Sequence, residues 1–408
     1  MNAIKTKRPR RRKGDWGRII LKITLILVAT LVIATTAGTV VATVGYKANF
    51  SHALNLDPVV KENVLVPEID EETGYWTFTT DEEFKILQLT DTHFGGGFVT
   101  VLTDLWAINA IRDMVTYVKP DLVIITGNMI YSDFFRTTNL NNMTSTKLFV
   151  QAMESLGVYW AVAFGNHDSD SYAFYDRKTI SDYYESAEHK YCLYMAGPDD
   201  IFGYGNYIIN VKRTDGVISQ SIVLVDSNSY ITGFTTNYDN IHDDQITWYK
   251  KEILRLNELN KEKGEVDMIK SLLFFHIPLY EYRTAWYEYV NAGYSDTENV
   301  KYNFGKAGET GVIVYSAKGK DAVFETVLYL GSTQGIFTGH DHLNNFSIDY
   351  NGGSGTTYIR LTYSLSIDYI AYVGIYKKTA QRGGTVITTY SDGEYDCDGL
   401  RLVDKAII

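Results

Sequence analysis

The sequence predicts an α/β fold preceded by one membrane-spanning helix. Three observations carry that expectation: a 22-residue run without a charge near the amino end, short apolar runs alternating with helix-length amphipathic segments, and a β-rich texture after residue 346.

The uncharged run covers residues 23–44 and consists of Ile, Leu, Val, Ala, Thr and Gly. At ~1.5 Å per residue it is long enough for ~30 Å of hydrocarbon. A basic cluster at 5–13 precedes it; the positive-inside tendency assigns that cluster to the cytoplasm and the rest of the chain to the outside of the cell membrane. The expected division is a basic cytoplasmic tail (1–18), a single-pass anchor (19–45), a stalk with a first strand at 74–79 (46–82), and one domain (83–408). A cleaved signal peptide and a buried soluble helix are the rival readings. Ala34, Ala37 and Ala42 offer cleavage sites, but a signal's apolar region runs ~7–15 residues.

Past residue 83 the runs follow in order. Residues 84–90 (FKILQLT), 122–126 (LVIIT) and 159–164 (YWAVAF) read as strands, with helices at 101–118 and 145–156 between them. Strands at 221–225, 271–275 and 334–338 follow, with a helix at 245–260 that Asp243 or Asp244 would cap. Asn351-Gly352-Gly353 and Gly383-Gly384 mark turns in the β-rich tail. No repeat and no internal boundary divides 83–408.

Composition narrows the function. Residues 1–50 balance to +9, leaving −20 on the other 358 residues within an overall −11. Such an acidic body repels polyanions, so no nucleic-acid-binding surface is expected. Cys192 and Cys397 are the only cysteines, too few for a cysteine-only zinc site; one disulfide or two free thiols remain open.

Polar residues gather just after the predicted strands: Asp91-Thr92-His93, Gly127-Asn128, Gly165-Asn166-His167-Asp168, His276, and Gly339-His340-Asp341-His342. Five of the eight histidines fall in this set. A lone histidine in such a loop is usually an ordinary hydrogen-bonded side chain, and Asn166 alone would cap a helix or fill a turn. Their common placement argues otherwise, because the carboxyl ends of strands in α/β sheets converge on one crevice. Asp91 with His93, and His340 with His342, are i,i+2 pairs that project to one side of an extended chain. Oxygen and imidazole ligands without sulfur suit Zn, Mn or Fe.

These five blocks, in this order over roughly residues 84–345, resemble the calcineurin-like metallophosphoesterases, relatives of the purple acid phosphatases. The resemblance implies a four-layer α/β/β/α sandwich, with the β-rich tail in the second sheet and two divalent metal ions above the sheets. It implies that Asp91, His93 and His342 hold the first metal and that Asn166, His276 and His340 hold the second. His167, oriented by Asp168, would protonate or stabilise the leaving oxygen. Asn128 stands where the family has a bridging Asp. A neutral amide removes a negative charge between two dications, and Asp133 lies five residues further on. Tyr131 matches a metal-binding Tyr of purple acid phosphatases, yet His93 resembles the non-purple members, which favours packing for Tyr131. Tyr280 and Tyr282, just after His276, are candidates for substrate-facing side chains, while packing is the expected role of most of the 32 tyrosines. The expected function is metal-dependent hydrolysis of a phosphate mono- or diester. The alternative is an inactive module that binds a phosphorylated ligand.

Overall fold

Helix α1 (Lys13–Leu54) runs without a break for 42 residues in the computed structural model, which describes residues 13–231, 237–309, 311, 313–353, 355–372 and 381–403. The basic cluster, apart from Lys13, lies outside the described residues. Leu27 and Ile33 on α1 are 63% and 68% exposed, and among the described residues nothing in the body covers this stretch. Thr35, Thr36, Thr39 and Thr43 turn their hydroxyls back onto carbonyls of the preceding turn at 2.8–2.9 Å, so these four hydroxyls are satisfied within the helix. The stretch Trp16–Leu54 is long and apolar enough to cross a membrane, a property that a signal sequence shares.

The structure differs from the stalk expectation. The apolar run ends near Lys47, but the helix does not. Tyr46, Phe50, Ala53 and Leu56 form a stripe at helical spacing that packs on the body's core. Asn49 Nδ2 donates to Val101 O at 2.8 Å. Strands β1 (Glu68–Ile69) and β2 (Trp76–Thr79) then pair with each other, and β2 joins a large sheet beside β6 (Tyr207–Lys212). No structural boundary falls at residue 83.

Two sheets form the body. The first has five strands in the order β14-β13-β3-β4-β5. Here β3 (Phe84–Leu89), β4 (Leu122–Thr126) and β5 (Tyr159–Ala163) are parallel, and β13 (Gly383–Thr389) and β14 (Tyr395–Arg401) add an antiparallel edge. The second has nine strands in the order β1-β2-β6-β7-β8-β10-β12-β11-β9. Its centre, β7 (Ile218–Leu224), β8 (Ser271–Phe274), β10 (Thr333–Thr338) and β12 (Ile359–Tyr363), is parallel, and β9 (Val300–Phe304) and β11 (Ser347–Tyr350) close the edge. The β-rich tail thus divides between both sheets instead of filling one.

Helices complete the four layers. α2 (Val101–Val118) and α3 (Asn142–Leu156) share one core with the five-stranded sheet and the facing side of the other. α5 (Asp243–Glu262), α6 (Tyr280–Asn291) and α7 (Val323–Leu330) cover the outer face of the nine-stranded sheet, and the short α4 (Arg177–Tyr184) lies beyond β5. Two helix starts lie earlier than periodicity suggests. Asn141 caps α3 by accepting from Thr144 N at 3.2 Å. His242, not Asp243 or Asp244, caps α5, its N–H taken by Gln245 Oε1 at 2.9 Å. Cys192 and Cys397 are free.

Candidate metal centre

The carboxyl ends of β3, β4, β5, β8 and β10 deliver all five blocks to one place. Bonds across the two sheets fix the meeting point: Gln88 Nε2 donates to Thr338 O at 3.2 Å, and the His340 N–H donates to Asp91 Oδ2 at 2.9 Å. The chain turns sharply there. Asp91, His93, Asn128 and His340 have φ of 53°, 48°, 54° and 76°, left-handed values that only surrounding structure holds in non-glycine residues. Gly127 (φ 82°) must be glycine twice over, since a Cβ there would lie 2.5 Å from the His276 ring.

Asp91 Oδ1 is the hub. His342 Nε2 lies 3.2 Å from it, His93 Nε2 3.7 Å and His276 Nε2 3.9 Å. Asp91, His93 and His342 form a buried group whose ligand atoms all lie within 4.8 Å of one another. Asp368 holds two of these rings, accepting from His93 Nδ1 at 3.0 Å and His342 Nδ1 at 3.2 Å, which turns both Nε2 atoms toward Asp91. Nε2 of His93 is buried without a hydrogen-bond partner. A divalent ion would satisfy that atom. Burial works against a charge on His342, yet Asp91 and Asp368 override it and hold its pKa up at about 10. The pocket therefore favours a positive charge where a cation would sit.

The second group lies on the other side of Asp91. His276 Nδ1 faces Thr126 O at 2.7 Å, which requires a proton on Nδ1 and leaves a lone pair on Nε2. That Nε2 lies 3.1 Å from Asn166 Oδ1 and 3.3 Å from His340 Nδ1. Burial pushes the His276 pKa down to about 4 and lowers that of His340, so both rings stay in the neutral, ligating form. His340 and His342 do not project to one side as an extended i,i+2 pair would. The left-handed backbone at His340 sends them into different groups.

Asn128 sits between the groups with its amide set by its neighbours. Oδ1 accepts from the His167 N–H at 2.9 Å, while Nδ2 donates to Asp91 Oδ1 at 3.1 Å and faces Asn166 Oδ1 at 3.4 Å. A flipped amide would oppose donor to donor and acceptor to acceptor. The nitrogen, which has no lone pair for a metal, therefore faces the centre.

Two expectations need correction. Asp168 does not orient His167; it accepts backbone N–H groups from Gly165, Asn128 and Ile130 at 2.7, 3.0 and 3.1 Å and so ties two loops together. The partner of His167 is Asp170, with Oδ2 2.9 Å from Nδ1. Tyr282 points into the core and donates to Ile336 O at 2.7 Å. The tyrosines around the centre are instead Tyr131, Tyr238, Tyr315 and Tyr372, lining a cavity of about 160 Å³ with Arg136. Tyr131 packs against the rings of His93 and His167 at 5.2 and 4.7 Å. Sequence reasoning missed Asp170, Asp368 and Tyr230, whose hydroxyl accepts from Asn166 Nδ2 at 2.7 Å. Only Asp170, three residues past His167, carried a local signal.

Comparison with known proteins gives the family. The model of the calcineurin-like phosphoesterase family matches residues 84–344. Arabidopsis thaliana "Probable inactive purple acid phosphatase 14" is 27% identical, covering 72% of this chain and 73% of that protein. "Probable inactive purple acid phosphatase 29" from the same plant is 26% identical, covering 81% and 87%. "Phosphatase DCR2" of Saccharomyces cerevisiae is 27% identical, covering 66% of this chain and 46% of its own length. With its five blocks gathered at one edge of two stacked sheets, and with the family model spanning well over half of its length, the chain belongs to the calcineurin-like phosphoesterase family.

Proposed function

We propose that the chain is a membrane-anchored, metal-dependent hydrolase of phosphate mono- or diesters, with its body outside the cell. The observation that carries this reading is the convergence of two ligand groups, Asp91–His93–His342 and Asn166–His276–His340, on the two sides of one carboxylate oxygen. Each group would hold one divalent ion, Mn, Fe or Zn. Bound there, the ions would polarise the phosphoryl oxygens and lower the pKa of a water for in-line attack.

The remaining roles belong to the chain's own side chains. His167 lines the cavity, and Asp170 on Nδ1 leaves Nε2 free to face the leaving oxygen and donate a proton to it. Arg136, also lining the cavity, offers a positive charge to a non-bridging phosphate oxygen. Asp368 keeps two imidazoles aimed at Asp91, and Asp168 holds the loops that carry Asn128 and His167 in register.

A second reading has its own observation. The Asn128 nitrogen faces Asp91, and the second group is entirely neutral, so a second dication would be held weakly. Two of the relatives are named inactive. On this reading the crevice binds a phosphorylated ligand without turning it over.

Hydrolysis of aryl phosphate mono- and diesters by the detergent-solubilised full chain, stripped by a chelator and resupplied with Mn, Fe or Zn, separates the two. Metal-dependent turnover supports the hydrolase. Metal binding with no turnover of any ester supports the binding module.

A further inference from the structure

We propose that the body rests on the bilayer through an apolar shoulder beside α1, formed by Phe98, Val99, Leu102, Trp106, Phe134 and Phe135, so that the metal pocket opens at the lipid surface. The inference rests on the reading that α1 spans a membrane. It does not depend on catalytic activity.

The level of the shoulder along α1 is the first argument. A methyl group on Gly38 would lie 3.4 Å from the Phe98 ring, and Gly45 lies so close to the Val101 side chain that no Cβ fits there. The uncharged run begins after Lys22, and 20 residues from that point reach Ala42. Phe98 therefore touches α1 about four residues, or roughly 6 Å, inside the far edge of a minimal span. A loop packed at that depth cannot face water if the helix faces lipid.

Its chemistry fits the position. Residues 94–103 carry no charge. Phe98 is 42% exposed, Leu102 61% and Trp106 42%, and Phe135 on the neighbouring loop is 91% exposed. Side chains of this size left in water would be a liability, whereas aromatic and aliphatic groups at a bilayer edge are favourable. The acidic body would bring no general attraction to anionic lipid, so the shoulder must act by apolar burial.

The shoulder is also joined to the metal pocket. The Phe98 N–H donates to Thr138 Oγ1 at 3.2 Å, linking the α2 entry loop to the loop that carries Phe134 and Phe135 outward and Tyr131 and Arg136 into the cavity. Arg136 Nη1 donates to Ala371 O at 2.6 Å, and Trp106 lies 5.8 Å from Tyr369 on the same segment as Ala371. An unbroken strip of chain thus connects lipid-facing side chains to the rim of the centre, and a bilayer rather than a protein is its natural cover because it continues from α1.

Spin labels test this in the full chain reconstituted in phosphatidylcholine bilayers. Labels are placed singly by L102C and F135C on the shoulder and I33C on α1. V266C, before β8 at the opposite edge of the sheets, is the water reference; the unmutated chain is the blank for Cys192 and Cys397. The expected ratio of oxygen to nickel-chelate accessibility at L102C and F135C is severalfold above that at V266C and approaches that at I33C. If either shoulder label matches V266C while I33C reads as lipid, the shoulder is overturned and the anchor stands. If I33C also reads as water, the anchor reading falls and takes the proposal with it.

Discussion

Asn128 Nδ2 donates to Asp91 Oδ1 across 3.1 Å, at the point where the two ligand groups meet. The bond replaces charge repulsion with attraction at the most crowded spot of the site. It stabilises the protein without metal at the cost of a bridging anion.

Asn128→Asp should therefore act in opposite directions on the two states. Without metal, two buried carboxylates would face each other and the His167 N–H geometry would be disturbed, so stability should fall by about 1–3 kcal/mol. With metal, the added charge should tighten binding and raise turnover at limiting metal, the gain shrinking at saturation. Thermal melts with and without chelator, together with metal titrations, check this. A variant that is folded yet unchanged in both would remove Asn128 from the bridging position.

Asp368→Asn should weaken metal binding by roughly 10–100-fold, because the imidazoles of His93 and His342 lose the carboxylate that fixes their tautomer and aim. Competition with a metal-indicator dye measures it. An affinity equal to that of the natural chain would show that the two rings are held by packing alone.

His342 sets a pH dependence. In the metal-free folded chain its pKa is raised from 6.5 to about 10. The folded state therefore keeps a proton that the unfolded chain releases above pH 6.5. Its stabilising contribution is complete below pH 6.5 and is lost as pH rises toward 10, by up to about 1.4 kcal/mol per pH unit. Metal-loaded chain needs Nε2 deprotonated and should not show this loss, and neither should His342→Gln. Melting temperatures at pH 7 and 9 decide the matter.

His167→Ala and Asp170→Asn should leave metal content intact and lower kcat more than they raise KM. For His167→Ala the loss should reach roughly 10²–10⁴-fold on alkyl phosphates, whose basic leaving oxygen needs a proton, and be smaller on aryl phosphates. Equal losses on both ester classes would assign His167 to binding.

Much of this arrangement is legible in the chain because local periodicity and strand-end placement are local properties. α2 and β4 occupy the expected 101–118 and 122–126, separated by the left-handed Lys119 and by Pro120. Asp368 is not legible. It meets His93 across 275 residues and gains its role only when β12 pairs beside β10. The direction of the Asn128 amide is equally hidden, since it depends on the His167 N–H and the Asp91 carboxylate reaching it from other strands. The continuation of α1 past Lys47 was masked because a charge ends an apolar run without ending a helix.

The most direct test of the account is the dependence of phosphate-ester hydrolysis on metal equivalents in the stripped full chain. One equivalent should fill Asp91, His93 and His342 tightly with little turnover, and hydrolysis should rise only as further metal enters the weaker group of Asn166, His276 and His340. A chain that binds metal at both groups and hydrolyses neither mono- nor diesters with Mn, Fe or Zn would contradict the hydrolase and leave a phosphate-binding module.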